Sequence, residues 1–554
     1  MEPPPRRSPK RRDGRVILQF DYDCFYAQVH ENKNPALKSK PVGVKQKNIL
    51  ATCNYSARDH GVRKLMLVSE ARKTCPGLVL VDGEDLTPFR DVSKMLFSFF
   101  RSHSWNGKVE RLGLDEIFMD VTDIVEYNMT CLNRNSLACS FFYLSKKDPE
   151  RGFTCDLTAI AGCVQGRDPG LDVDKATYVR LLLGSHLARY LRTKLEADFG
   201  YTSTCGVSTN KLLSKLVGAK NKPRNQTTLL ALEDQDVAAF MDAHTLRSIP
   251  GIGFRTASLL ETYMTGKESA ADSHSFKSTV TAGDVRSSPK ITPGTLESIL
   301  RGPGAEKGIG SRIWALLHGV DPTEVKEARA IPSQISIEDT YGSGLSTIPQ
   351  ITEELHKLSY SLIRRMRIDL LAGDSSGNRS AEEKRWLARP RTLRLSIRSW
   401  HQMQSQSYNR SSRSGILPPF VFDLNLEIEH LAERLVVEGL LPLLRRLQNE
   451  KGPKWNLQLI NICVANMVLG AADDKPGVGR DIANMFRNQD EALRPWKVLP
   501  SPDMPENDAE DTTSGETGSE GEWETTANAS CPQCGYSIPL FALQAHLRYH
   551  DMED

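Results

Sequence analysis

The chain has 554 residues, with 39% hydrophobic and 25% charged side chains, which is too long for one ordinary core and implies several globular domains. No apolar run approaches the roughly 18 residues of a membrane-spanning helix, and the stretch Met1–Arg12 carries Arg and Lys where a secretory signal needs an apolar centre, so neither membrane insertion nor export is expected. The net charge of +2 conceals an asymmetry, because residues 503–530 hold nine Asp/Glu and no Lys/Arg, leaving a basic body that favours a polyanionic partner.

In chain order, residues 1–14 read as a disordered basic arm, either a nuclear address or a solvated tail. Residues 15–125 alternate short apolar runs with helical patterns, with Val16–Phe20 and Val79–Val81 as strand candidates. Residues 127–172, rich in Asn, Ser, Cys and Gly, look like an insertion, and Tyr178–Ala197 has Leu at helical spacing. In Ile249-Pro-Gly-Ile-Gly-Phe254, Gly251 and Gly253 suit a helix-hairpin-helix turn whose amides approach a phosphate, or a plain tight turn between helices. Residues 268–296 are polar and read as a loop insert, and 326–333 as a linker.

The next domain, 334–470, has strand-like Thr392–Arg398 and Leu457–Cys463 with a helix between them. Arg391, Arg394 and Arg398 recur near strand spacing, either beside a nucleic-acid backbone or on a solvated sheet face. Residues 471–530 are linker-like and disordered by composition. There is no internal repeat. Of the eleven cysteines, nine have no framework spacing and read as reduced thiols.

Two short segments concentrate acids. Phe20-Asp-Tyr-Asp-Cys-Phe-Tyr-Ala27 places carboxylates at the end of an apolar strand, and Leu112-Gly-Leu-Asp-Glu-Ile-Phe-Met-Asp120 sets two adjacent acids where a hairpin can hold them. Carboxylates beside strands need a partner, and a divalent cation is one. Caps and salt bridges are the other reading of the same spacing.

These segments closely resemble the catalytic motifs of Y-family DNA polymerases, through about residues 17–125, 176–265 and 331–470. Gln46-Lys-Asn-Ile-Leu-Ala-Thr-Cys-Asn-Tyr-Ser-Ala-Arg58, Gly61-Val-Arg-Lys-Leu-Met66 and Gly83-Glu-Asp-Leu-Thr87 carry the likeness, which points to the iota branch more than the eta branch. The resemblance implies an α+β multidomain right hand. The palm would comprise 15–24 and 84–230, the fingers 25–83, a helical thumb 231–325 and a little finger 334–470. It further implies a metal set of Asp21, Asp115 and Glu116 with the Tyr22 carbonyl, binding two Mg²⁺ or Mn²⁺ ions per active site. Asp115, Glu116 and Asp21 would then be the catalytic residues. Tyr26 matches the gate against ribonucleotides, and Tyr55, Arg58, Lys64 and Lys222 match triphosphate contacts. Lys215 is expected to brace the palm, Asp23 to cap the following helix, Asn210 and Ser208 to cap another, and Phe25 is left between core and site.

Gln46, Lys47 and Ile49 match positions around the template base, where iota-type members narrow the site. Ala51 departs from the bulkier branched residue expected there, and a milder base bias follows. Near the C-terminus, Cys531, Cys534, His546 and His550 have the spacing C-x2-C-x11-H-x3-H, which suits tetrahedral Zn²⁺ in a ββα-like module over 531–554. It resembles the ubiquitin-binding finger of eta-type members, except that Arg548 stands where an Asp contacts ubiquitin. Val478-Gly-Arg-Asp-Ile-Ala-Asn-Met-Phe486 has Ile482, Met485 and Phe486 at the spacing of a sliding-clamp motif, without its leading Gln.

The resemblance thus implies a nuclear translesion DNA polymerase of low fidelity. Its partners would be primer-template DNA, deoxynucleoside triphosphates, and ubiquitin or a ubiquitinated sliding clamp. The alternatives are an eta-like bypass enzyme and a non-catalytic ubiquitin-binding scaffold.

Overall fold

The computed structural model describes residues 9–469 except 13, 168–169, 173, 267–277, 303–305, 328–330, 372–384, 401–409 and 452–454. Near the C-terminus it describes 528–530, 532 and 537–539. The chain forms two compact units, Met1–Ala471 and Ala472–Asp554.

The first unit is built on a six-stranded sheet in the order β5-β6-β1-β10-β11-β9. Its centre is β1 (Ile17–Tyr22), antiparallel to β6 (Glu116–Asp120) on one side and to β10 (Ser203–Ser208) on the other. Both neighbours and both faces bury β1, which explains its near-continuous apolar text in place of strict alternation. The edges are β5 (Val109–Leu112) on one flank, then β11 (Gln226–Leu230) and β9 (Cys163–Gly166), both running parallel to β10, on the other.

Two helices cover opposite faces. Helix α6 (Ala176–Phe199), ended by Gly200 at φ 75°, lies against Val16 and Val207 through Gly184. Helix α7 (Lys211–Gly218) crosses the other face at Gly206, where an added Cβ would stand 1.9 Å from the Ser214 carbonyl oxygen. Leu18, Phe20 and Tyr22 fill the core on the α6 side, together with Phe89, Leu96 and Phe100 of α4 (Thr87–Ser102) and Phe25, Ala27 and Val29 of α1 (Phe25–Lys33). The alternate residues Ile17, Gln19 and Asp21 therefore face α7.

A smaller three-stranded sheet, β3-β2-β4, is made of β2 (Val42–Gln46), β3 (Ile49–Cys53) and β4 (Val79–Asp82). Helices α2 (Tyr55–Asp59) and α3 (Val68–Thr74) close over its own core of Leu50, Cys53, Ala57, Val62, Ala71, Cys75 and Leu78.

Helices α8 (Asp234–Asp242) to α12 (Ile309–Leu317) form a third core around Phe240, Met241, Leu246, Ile249, Ile313 and Trp314. The polar stretch expected to be a loop insert is in part helical. Helix α10 (Ala282–Ser287) starts with a reciprocal Thr281/Asp284 capping box, and α11 (Pro293–Leu300) with a Thr292 cap and Pro293 in its first turn. Capping chemistry and two buried residues per helix outweighed the polar composition there.

The expected insertion at 127–172 also contributes structure. It contains the end of α5 (Thr122–Cys131), a hairpin of β7 (Ser140–Tyr143) with β8 (Gly152–Cys155), and the edge strand β9 of the main sheet.

The last part of the unit is a four-stranded antiparallel sheet in the order β12-β15-β13-β14, comprising Gln334–Leu345, Leu457–Leu469, Ala388–Ser399 and Ser411–Ile416. Leu393, Leu395 and Ile397 point into an apolar core with α13 (Ile348–Leu370) and the helices spanning Ile428–Lys451. The opposite face is polar, with the Arg410 guanidinium and the Asn461 amide both donating to Glu338. No helix among the described residues is long and apolar enough to cross a membrane.

In the second unit, Asn528–Ser530 pairs antiparallel with Ser537–Pro539. Cys531 and Cys534 fall in sequence between those strands, but they lie outside the described residues, as do His546, Arg548, His550 and the Val478–Phe486 segment.

Candidate active site

A cleft of about 980 Å³ opens between the six-stranded and three-stranded sheets. Its acidic wall follows from strand register. Asp21 on β1 pairs directly with Glu116 on β6, so both side chains leave the same face. Asp115 belongs to the three-residue connection between β5 and β6, whose turn uses Gly113 at φ 71°. The Asp115 carbonyl accepts the Tyr22 amide at 2.9 Å, which prolongs the β1–β6 ladder by one bond and fixes the turn against β1.

Three carboxylates therefore line one wall. Desolvation within the cleft, followed by the charges of Asp21 and Glu116, pushes the Asp115 carboxyl up to about 6. Two ammonium groups answer this charge. Lys222 lies 2.7 Å from the Asp21 carboxylate, and Lys215 of α7 lies 2.5 Å from that of Glu116. The glycine contact of α7 with β10 is what lets Lys215 come so near.

The facing wall is cationic and aromatic. Asn54 is buried and caps α2 by accepting the Ala57 amide at 3.0 Å, while its amide nitrogen donates to Glu31 and to the Lys40 carbonyl, both at 2.8 Å. That anchor fixes Tyr55 and Arg58 on the first turns of α2. The Arg58 guanidinium lies over the Tyr55 ring at 4.4 Å and donates from Nε to the Cys53 carbonyl at 3.2 Å. Lys64 and Arg63 reach the cleft from the turn after α2. Tyr26 lines the junction, its ring stacked on Phe89 at 4.2 Å and 16°.

The cleft thus gathers Asp21, Tyr22, Tyr26, Gln46, Ile49, Ala51, Tyr55, Arg58, Lys64, Asp115, Glu116 and Lys222, from segments far apart in the chain. Lys47 is the exception among the expected cleft residues. It is not part of the lining, and its ammonium turns away to Asp339 of β12 at 2.6 Å. Phe25 touches the cleft but is only 2% exposed, so it also belongs to the core.

Asp23 does not cap α1, whose cap position is Cys24, in a left-handed conformation (φ 37°) and without a side-chain hydrogen bond to the helix. The Asp23 carboxylate is buried and accepts the Thr202 and Thr204 hydroxyls at 2.9 and 2.8 Å and the Arg224 amide at 2.9 Å. It therefore ties the end of β1 to the loop after Lys222. Asn210 does cap α7, accepting the Leu213 amide at 2.9 Å, whereas Ser208 ends β10 as a buried strand residue.

Arg63 was missed in the sequence, although its position beside Lys64 was a visible signal. The pairing of Lys215 with Glu116 left no local trace, because the two are 99 residues apart.

Two more placements complete the set. Gly251 has φ 91° and an added Cβ would stand 3.0 Å from Leu316, whereas Gly253 faces open space and precedes α9 (Phe254–Thr265) without a side-chain cap. The buried Ile249 and Ile252 anchor this turn. Arg394 and Arg398 share the polar face of β13 with Ser396, while alternation assigns Arg391, exposed near the start of the strand, to the other face.

Comparisons with known proteins bear on this geometry. Residues 20–219 match the impB/mucB/samB family and residues 332–477 the impB/mucB/samB family C-terminal domain, together more than half of the chain. The chain is 32% identical over 453 residues to DNA polymerase iota of Homo sapiens, covering 82% of this chain and 52% of that protein. It is 39% identical over 247 residues to DNA polymerase iota of Drosophila melanogaster, covering 44% of this chain and 30% of that protein. To DNA polymerase IV of Pasteurella multocida (strain Pm70) it is 27% identical over 358 residues, covering 64% and 77%. The chain spans about half the length of the human protein it matches.

Proposed function

This chain belongs to the impB/mucB/samB family of Y-family DNA polymerases, and from that premise we propose that it is a template-directed DNA polymerase of translesion synthesis. The observation that carries the reading is the single cleft in which the Asp21, Asp115 and Glu116 carboxylates face Tyr55, Arg58 and Lys64. Acids on one wall and cations on the other suit a nucleoside triphosphate held with its phosphates toward both.

Among the described residues no group of three or more His, Cys, Asp or Glu is gathered tightly enough to form a metal site by itself. The donor chemistry nevertheless fits Mg²⁺ or Mn²⁺. Three hard oxygen donors line one cleft, and the Asp115 carboxyl, raised first by desolvation and then by the charges of Asp21 and Glu116, is in surroundings that a cation would ease. Asp21, Asp115, Glu116 and the Tyr22 carbonyl would hold the ions, which supply Lewis-acid stabilisation of a phosphoryl transfer when bound.

The chain's own groups supply the rest. Arg58 and Lys64 offset charge on the triphosphate, with Lys222 as a further cation beside Asp21. The Tyr26 ring, held by Phe89, crowds a ribose 2′-hydroxyl and favours deoxynucleotides. Gln46, Ile49 and Ala51 border the template base. The Gly251–Gly253 turn and the Arg394/Arg398 face hold duplex DNA through phosphates, so binding falls with salt and is indifferent to sequence.

The C-terminal module is read as a zinc finger held by Cys531, Cys534, His546 and His550, recruiting ubiquitin or a ubiquitinated clamp in the nucleus. The short hairpin of 528–530 with 537–539 supports that reading. Loss of ubiquitin capture by His550→Ala agrees with it, whereas capture of DNA by the module overturns it.

The test of the polymerase is primer extension on templates carrying each base, comparing wild type with Asp115→Ala/Glu116→Ala. Extension that vanishes in the variant is expected, with similar efficiency opposite template A and T because Ala51 leaves room in the pocket. A well-folded wild type that does not extend with Mg²⁺ or Mn²⁺ would favour a non-catalytic scaffold.

A further inference from the structure

The hairpin that borders the template side of the cleft is held at its tip by a different domain. Strands β2 and β3 are joined by Lys47 and Asn48, with Gln46 and Ile49 as the closing register pair. Gln46 and Ile49 line the cleft, but Lys47, in the left-handed region at φ 51°, is directed to the four-stranded sheet. Its ammonium donates to the Asp339 carboxylate at 2.6 Å and to the Thr340 carbonyl, and it lies 5.6 Å over the Tyr341 ring.

Three consecutive residues of β12 thus receive one side chain from a strand pair 292 residues away in sequence. The other side of the hairpin is tied to the start of the α4 region. The Lys47 amide donates to Glu84 at 3.1 Å and the Gln46 side chain to the Gly83 carbonyl at 2.7 Å. Within its own domain the hairpin is also bonded to the segment before α3, where the Val68 amide donates to the Asn48 carbonyl at 2.9 Å and Ile49 bridges Leu67, and Lys47 adds to these a hold from the C-terminal sheet.

We infer that Lys47 is a positioning residue, through which Asp339, Thr340 and Tyr341 of the C-terminal sheet set the place of Gln46 and Ile49 and thereby the selection among template bases. The inference rests on the polymerase reading. It assigns to Lys47 a role outside the pocket, and to β12 a part in base choice that its distance from the cleft conceals. The Lys47 and Asp339 side chains are 50% and 40% exposed, so the pair is worth little in folding stability. A small displacement of the hairpin is enough for selectivity, because different bases need different room against the same wall.

The test measures kcat/KM for single-nucleotide insertion opposite each of the four template bases in the full chain. Wild type is compared with Lys47→Met, Asp339→Asn and the exchanged pair Lys47→Asp/Asp339→Lys. Each single variant is expected to change the ratio of efficiencies between template bases by about two- to fivefold, the span of a half-exposed ion pair. The exchanged pair should return the ratio toward wild type, with thermal midpoints alike throughout. Unchanged ratios in both single variants, or an equal fall opposite all four bases, overturn the inference while leaving the polymerase reading intact. An inactive wild type sinks the polymerase reading itself, and the inference with it.

Discussion

Asp21 and Glu116 face one another across the β1–β6 ladder, and each carboxylate is met by a different lysine, Lys222 at 2.7 Å and Lys215 at 2.5 Å. Adjacent carboxylates on one sheet face repel, so the two ammonium groups hold the acidic wall together. The lysines come from separate places, one from α7 and one from the loop after it, which gives them separable consequences.

Lys222→Ala should lower kcat/KM for the incoming nucleotide by tenfold or more, about 1.4 kcal/mol, chiefly through KM, with partial recovery in Lys222→Arg. Steady-state insertion kinetics check this. A change confined to thermal stability would assign Lys222 to the scaffold alone.

Tyr26→Ala should admit ribonucleotides. Removing a ring stacked on Phe89 at 4.2 Å clears the space beside the sugar. Ribonucleotide insertion is expected to rise at least tenfold relative to deoxynucleotide, while Tyr26→Phe, which keeps the stack, should stay near wild type. Competition between the two nucleotide types on one template is the measurement.

The two turn glycines should separate stability from DNA affinity. Gly251→Ala places a side chain at φ 91° and 3.0 Å from Leu316, and should cost about 1–2 kcal/mol of stability. Gly253→Ala meets open space, so its thermal midpoint should hold, while affinity for primer-template falls severalfold as the added methyl keeps a phosphate away from the α9 amides. Equal DNA affinity in a folded Gly253→Ala protein would leave the turn a plain connection.

Asp23→Ala should destabilise by about 3 kcal/mol, because it strands two threonine hydroxyls and the Arg224 amide that now share a buried carboxylate. Denaturant unfolding measures this. The same change should also lower insertion efficiency, since the loop carrying Lys222 loses its tie to β1.

Local signals made much of the molecule legible. The apolar text of Val16–Phe20 marks a central strand, and the Leu spacing of Tyr178–Ala197 marks a long helix, observed as Ile17–Tyr22 and Ala176–Phe199. Asn210 reads as a cap and is one, because capping is decided within three residues. The acids, the aromatic and the basic residues of the cleft stand in short motifs, so their chemistry is written in the text even though their meeting is not.

What only the tertiary structure decides is pairing over distance. Asp23 has the sequence of a helix cap, yet burial beside Thr202 and Thr204 gives its carboxylate three donors that a cap position would not. Lys47 stands among template-pocket residues in the text, but a tight hairpin turn directs it to Asp339. Strand Cys163–Gly166 sits in a polar stretch and becomes structure only through its partner β11. Periodicity and capping are short-range properties that a sequence carries in itself, whereas the partner of a charge depends on which surfaces the finished fold brings together.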